Sequence, residues 1–401
     1  MNTTIRRSRI VKRNSKNNQF RVPFFKPHIT VDDRKAVLSS LNQFLLTDGP
    51  RLKEFESNFA KFVGSRFAVG VSNATSALHM SLKALGVKDG DEVIVPDITF
   101  VATANAVLLS GATPILADVN IDDYNISISS IKKNITTKTK AIIPVHMAGK
   151  SCDMNEIRKI ANKFNVFVIE DCAHALGTKF GNKHVGTFGD IGCFSFYPTK
   201  NITTIEGGMI VCNNQKIEQY IRRARSHGIN RSLAQRYGSG IPWEYDIEEP
   251  GYNYRLDEIR SALGLSQLRR IKKINQLRLN AVRYYNNRLK KIAGIVTPEF
   301  SNYSKDSHHL YIIRITEKFG MTRTELFKKL LGDGISTTVH YKPLHEFSIF
   351  KKLAKTYDSL ENSAKLYSEL LSLPLFPTIT RKEQNSVIES IIRYKKTVKT
   401  N

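Results

Sequence analysis

Seven short runs rich in β-branched and aromatic residues follow one another between residues 67 and 212: FAVGVS, EVIVP, PILADV, AIIPVH, VFVIED, CFSFY and GMIVC. They lack the polar alternation of a sheet with one wet face, so each strand must be covered on both sides. The cover is supplied by amphipathic stretches between them, such as TSALHMSLKALG and DMNEIRKIANKF. Strands separated by helices in this way predict an α/β fold with a mostly parallel sheet and helices on both faces. In such sheets ligands gather beyond the carboxyl ends of the strands.

The flanking regions set the domain plan. FFKPHITVDDRKAVLSSLNQFLLTDGPRLKEFESNFAKFVG reads as helix, glycine-proline turn and helix, and a long helical segment is predicted from about Asp257 to Leu289. We read residues 1–22 as a basic flexible tail and 23–270 as the large domain. Residues 271–401 then form a linker helix with a smaller C-terminal α+β domain. With 401 residues the chain is long enough for such a division.

Charge and cysteine usage narrow the function classes. The net charge of +25 is partly a tail effect, since Arg6, Arg7, Arg9, Lys12, Arg13, Lys16 and Arg21 all precede the first acid. A solvated arm explains that cluster as well as a binding arm does, and no zinc-finger spacing or aromatic-basic RNA signature turns the charge into readout. The alternative of a non-catalytic regulator or nucleic-acid binder rests on charge alone. Cys152, Cys172, Cys193 and Cys212 show no CxxC pairing. That predicts reduced thiols, no metal site and a cytoplasmic setting. No apolar run has the length a bilayer requires, and no secretory h-region follows the basic N-terminus.

Chemistry concentrates at strand ends. FSFYPTKNITTIEGG, residues 194–208, runs an apolar stretch straight into Lys200, where an ammonium is costly to desolvate. Asp171 closes VIED, and alone it could simply cap a helix. Ser72, Thr75 and Ser76 lie at a strand-to-helix turn, where backbone N–H groups and the helix dipole favour phosphate, although Ser and Thr cap many helices. Ser195 sits at the next strand end. Together, a carboxylate, a phosphate cradle and a strand-end lysine are what a pyridoxal phosphate site requires. Desolvation lowers a lysine pKa from about 10.4 and frees its amine. The carboxylate keeps the pyridine nitrogen protonated.

With these motifs in hand, the chain resembles the DegT/DnrJ/EryC1/StrS family of sugar aminotransferases, fold-type-I pyridoxal phosphate enzymes. Matching stretches include TDGPRLKEFESNFAKFVG, GDEVIVPDITFVATANAV, IEDCAHALG, GTFGDIGCFSFYPTKNITTIEGG, RSHGINR, GYNYRLDEIRSALGLSQL, HYKPLH and LPLFP. The resemblance implies Lys200 as the Schiff-base lysine and proton carrier, with Asp171 at the pyridinium and His174 near the ring hydroxyl. It implies Thr75, Ser76 and Ser195 at the phosphate and Phe100 stacked on the ring. Asn253 is similar to an asparagine that crosses to the partner's phosphate, which implies a homodimer with a shared site. His227, Tyr341 and His345 lie in motifs on the substrate side, where a structural role is equally open to each.

PVHMAGKSCDMNEI, SNATSALH and the histidine of EDCAHA are similar to the branch acting on UDP-linked 4-keto sugars. The implied reaction takes an amino group from L-glutamate to a nucleotide-diphosphate keto sugar. Amination at C-3 of a dTDP-keto sugar and sugar dehydration remain as alternatives. The presence of Lys200 argues against dehydration.

Overall fold

The apolar runs pair into one sheet. A computed structural model describes residues 20–231, 233–238, 241–300 and 304–398. Its strands β1 (Phe67–Val71), β2 (Glu92–Pro96), β3 (Thr113–Ala117), β4 (Thr139–Ile142), β5 (Phe167–Asp171), β6 (Ile191–Ser195) and β7 (Gly208–Cys212) lie in the order β1–β7–β6–β5–β4–β2–β3. β3, β2, β4, β5 and β6 are parallel neighbours, whereas β7 is antiparallel to both β6 and β1.

That reversal has a local cause. Residues 196–207 form no crossover helix. They fold into a turn closed by Phe196 N–H to Gly207 O and Thr204 N–H to Phe196 O, each 2.9 Å. The chain therefore re-enters the sheet at once, and the turn holding Lys200 stays at the carboxyl edge of the parallel strands.

Alternate residues of each strand feed different cores, as a doubly covered sheet demands. Val69, Val71, Val93, Val95 and Ile169 pack with residues of the helices Ala74–Ala84, Ala102–Leu109 and Gln215–Ala224. Ala68, Phe194, Met209 and Val211 face Phe55 and Phe59 of the helix Pro50–Val63 and Leu265 of the helix Glu258–Leu268. Pro50 opens its helix after Gly49, and Gly64 closes it at φ 79°.

Two details differ from the sequence reading. The segment expected as one helix from Asp257 to Leu289 is two, Glu258–Leu268 and Ile271–Leu289. Between them Arg270 leaves helical geometry (φ −107°, ψ 1°), and its guanidinium donates to Asp33 at 2.6 Å. Val22, read as the last tail residue, is fully buried in the C-terminal core and bridges Ile335. The basic residues before position 20 lie outside the described residues.

The C-terminal region carries a three-stranded sheet, β8 (Ile295–Val296), β9 (Tyr311–Ile315) and β10 (Leu370–Leu373), antiparallel throughout. It shares a core with the helices Ile271–Leu289, Arg323–Gly332 and Arg381–Val398. The four cysteines are buried and free. Among the described residues, no helix is long and apolar enough to cross a membrane.

Candidate active site

The residues at the carboxyl edge are linked by hydrogen bonds, ring contacts and charge. Asp171, the last residue of β5, is 5% exposed. Its Oδ1 accepts the Ala173 N–H and its Oδ2 accepts the Thr103 hydroxyl, both at 3.0 Å. The Thr103 hydroxyl also lies 2.9 Å from that of Thr99. Burial raises the Asp171 pKa, while these two hydrogen bonds and the Lys200 charge oppose the rise. Lys200 follows a turn in which its N–H donates to Tyr197 O at 2.9 Å. Crowding by protein lowers its ammonium pKa to about 8 against the pull of the Asp171 carboxylate. A lysine of that kind has a usable fraction of free amine near neutral pH.

His174 is buried, and its Nε2 lies 3.1 Å from the Tyr341 hydroxyl. Burial, with smaller contributions from the Lys200 and His340 charges, holds the His174 pKa well below the ordinary imidazole value. Among the described residues its Nδ1 has no hydrogen-bond partner. The Tyr341 ring stacks on His174 at 6.1 Å and meets Phe100 at 5.8 Å. Phe100 itself is 56% exposed. An exposed aromatic, an unpaired buried ring nitrogen, a buried acid and a pKa-lowered lysine form one cluster.

A second group lies beside it. Gly208 at the start of β7 is in register with Ser195 of β6 on one side and Val71 of β1 on the other. The helix Ala74–Ala84 starts there, capped by the Asn73 side chain, which accepts the Ser76 N–H at 2.8 Å. Ser76 Oγ lies 3.0 Å from Ser72 Oγ. A Cβ on Gly208 would stand 2.6 Å from Asn73 O, so only glycine lets β7 approach this turn. Thr75 and Ser76 in the first turn of that helix and Ser195 at the end of β6 thus flank the start of β7, an arrangement suited to a phosphate.

Residues 27–392 match the DegT/DnrJ/EryC1/StrS aminotransferase family. The chain belongs to that family. It is 36% identical to SpsC, a spore coat polysaccharide biosynthesis protein of Bacillus subtilis, over 94% of this chain and 97% of that protein. PseC of Helicobacter pylori, an aminotransferase of pseudaminic acid biosynthesis, is 33% identical with a TM-score of 0.87, covering 94% of this chain and 99% of PseC. The putative sugar aminotransferase Spr1654 of Streptococcus pneumoniae, in its PLP-form, is 30% identical with a TM-score of 0.86, over 94% and 99%.

Against the DegT/DnrJ/EryC1/StrS pattern, the single chain brings together Lys200, Asp171, His174, Phe100 and Tyr341. Thr75, Ser76 and Ser195 stand alongside. It does not bring three other predicted residues to them. His227 is exposed at φ 64°, its N–H donating to Tyr252 O at 2.9 Å. Asn253, also exposed, pairs in a bridge with Ser226. His345 is bound to Asp97.

Several neighbours escaped the sequence reading. Thr103 holds Asp171, and His309 lies 4.4 Å from the His174 ring. His340, bonded to Ser372 Oγ at 2.8 Å, has its pKa lowered to about 3 by burial and the Lys200 charge. Only the spacing of Thr103, three residues after Phe100, offered a signal. The buried trio His146, Glu170 and Cys172 has metal-like proximity. Its Glu170 carboxylate is already engaged by His146 and by the N–H groups of Gly186, Phe188 and Gly189, which makes it a brace for the 186–189 turn.

Thr103→Val removes one bond to a carboxylate at nearly constant volume. A hydrogen bond to a charged group contributes about 1.5–3 kcal/mol. We expect kcat to fall about 10- to 100-fold with the fold retained, measurable by steady-state kinetics and far-UV circular dichroism.

Proposed function

We propose that this protein is a pyridoxal phosphate-dependent aminotransferase that moves an amino group from L-glutamate to C-4 of a nucleotide-linked keto sugar. The favoured acceptor is of the UDP-4-keto-6-deoxy-hexose type, and the product serves surface-glycan synthesis. The observation that carries the reading is Lys200, with its pKa lowered to about 8, in the same buried cluster as Asp171. Family membership and the likeness to SpsC and PseC support the sugar substrate.

The residues fit the cofactor. The unpaired Nδ1 of buried His174 suits a ring oxygen, and Asp171 suits a protonated pyridine nitrogen. When bound, the cofactor supplies an electron sink for the pair left when a proton departs from carbon. Lys200 Nζ moves that proton, taking it from the glutamate Cα in the first half-reaction and running the transfer in reverse on the sugar carbon in the second. Asp171 holds the charge that makes the sink effective. Thr75, Ser76 and Ser195 would hold the phosphate, and Phe100 would lie against the ring. Water would supply the keto oxygen with which glutamate leaves as 2-oxoglutarate in the first half-reaction, and the keto oxygen of the sugar would leave as water in the second.

Asn253 is exposed and makes no contact with the Lys200 cluster, which suits a role across a homodimer. His227 is read on the substrate side, apart from the phosphate role given to Asn253.

The test is a panel. The pyridoxamine form of the enzyme is incubated with UDP- and dTDP-linked 4-keto and 3-keto sugars, and products are identified by mass spectrometry and NMR. We expect a 4-amino UDP sugar. A 3-amino dTDP product, or loss of water without nitrogen transfer, would replace this reading.

A further inference from the structure

His345 lies in HYKPLH, a motif read as facing substrate, yet every contact it makes points elsewhere. Asp97, just beyond β2, is fully buried. Its N–H continues the ladder to Ala117 O at 2.8 Å, which fixes its backbone to β3. Its side chain takes two bonds from one residue: Oδ2 lies 2.6 Å from His345 Nδ1, and Oδ1 accepts the His345 N–H at 2.9 Å. A third bond, Leu344 N–H to Asp97 O at 2.8 Å, completes the grip. The charged groups facing His345 are Asp97, Glu346 and Lys351, and the Asp97 hydrogen bond is the largest influence raising its pKa.

Both sides of this grip lead into the active-site cluster. Three residues after Asp97 comes Phe100, and the intervening Thr99 bonds to Thr103, which holds Asp171. Four residues before His345 comes Tyr341, whose hydroxyl meets His174 and whose ring meets Phe100. Ile98, fully buried, packs in the same cluster as Tyr341.

We infer that His345 is a positioning residue: by gripping Asp97 it docks segment 340–347 of the C-terminal region onto the 97–103 loop and fixes Tyr341 relative to Phe100. It reaches the cofactor only through these neighbours and makes no contact with the sugar. This rests on the cofactor site proposed above. Its energetic logic is that a buried carboxylate is tolerated only while its partner is present, so the two segments separate only by exposing Asp97. Preorganised neighbours held by such second contacts bind a ligand more tightly than loose ones.

The experiment uses apo-protein titrated with pyridoxal phosphate, read by absorbance and by visible circular dichroism of the bound cofactor. His345→Gln keeps a side-chain donor for Asp97, while His345→Ala leaves it only the backbone N–H of that position. The double variant Asp97→Asn with His345→Ala removes the side-chain bond of the grip without stranding a buried charge, and so guards against simple unfolding. We expect His345→Gln to bind within threefold of wild type. The other two variants should bind at least tenfold more weakly with a diminished dichroic band, while the KM for the keto sugar moves less than threefold. Unchanged affinity and dichroism in the folded double variant would overturn the assignment. So would a tenfold rise in sugar KM at unchanged cofactor affinity, which would place His345 against substrate. Wild-type protein that takes up no pyridoxal phosphate would instead overturn the cofactor site itself, and with it the role given to His345.

Discussion

Lys200→Ala is expected to abolish turnover, by at least about 10⁴-fold, while the protein still binds pyridoxal phosphate. General acid–base transfer by a positioned group is commonly worth about 10²- to 10⁴-fold. Covalent anchoring is lost as well, so the two deficits compound. The proposed phosphate cradle at Thr75, Ser76 and Ser195 lies on other elements and is expected to survive the change. Borohydride treatment followed by intact-mass measurement separates the cases: wild type should carry the reduced cofactor as a permanent adduct, and the variant should not. Removing a lysine that crowding already disfavours as an ammonium leaves the fold intact. Full transaminase activity in the variant would end the assignment.

Asp171→Ala has the next largest expected effect. The carboxylate is 5% exposed and held by two hydrogen bonds, so its orientation is fixed before any ligand arrives. Breaking a buried charge pair costs on the order of 3–5 kcal/mol, which as a barrier is about 10²- to 10⁴-fold in rate. The visible band should shift because the ring nitrogen loses its ionic partner. Asp171→Asn, which keeps the shape and the Ala173 contact, should be nearly as slow. If both variants match wild type in rate and spectrum, Asp171 has no part in the chemistry.

The legible features were those in which one residue contradicts its surroundings. Lys200 and Asp171 stand out because each ends an apolar run, where a charge demands a reason. The sheet was legible because strands apolar on both faces require cover on both. Strand direction was not, because an apolar run reads the same whether it enters the sheet parallel or antiparallel. Hence β7 was placed without its reversal. The break at Arg269 and Arg270 was hidden for a similar reason: both are good helix formers, and the partner that favours the kink, Asp33, is far away in sequence. Thr103 looked like an ordinary helix residue in FVATANA, and only the fold sets it beside Asp171. His345 shows the converse limit. A motif states which residues travel together, but the buried acid that holds this one is distant along the chain.

The position of β7 also governs when the site comes into being during synthesis. Gly208 is the register partner of both Ser195 and Val71, so the turn at 72–76 and the lysine turn become neighbours only after that strand has slotted between them. Of these pairings the one to Val71 is remote in sequence, and such contacts are slow to form. A nascent polypeptide that stops before residue 208 has Thr75, Ser76 and Ser195 of the proposed phosphate pocket but lacks the strand that sets them side by side. Uptake of the vitamin is therefore expected only once translation has passed the sheet, and the Tyr341 contact to His174 adds a contribution from near the end of the chain.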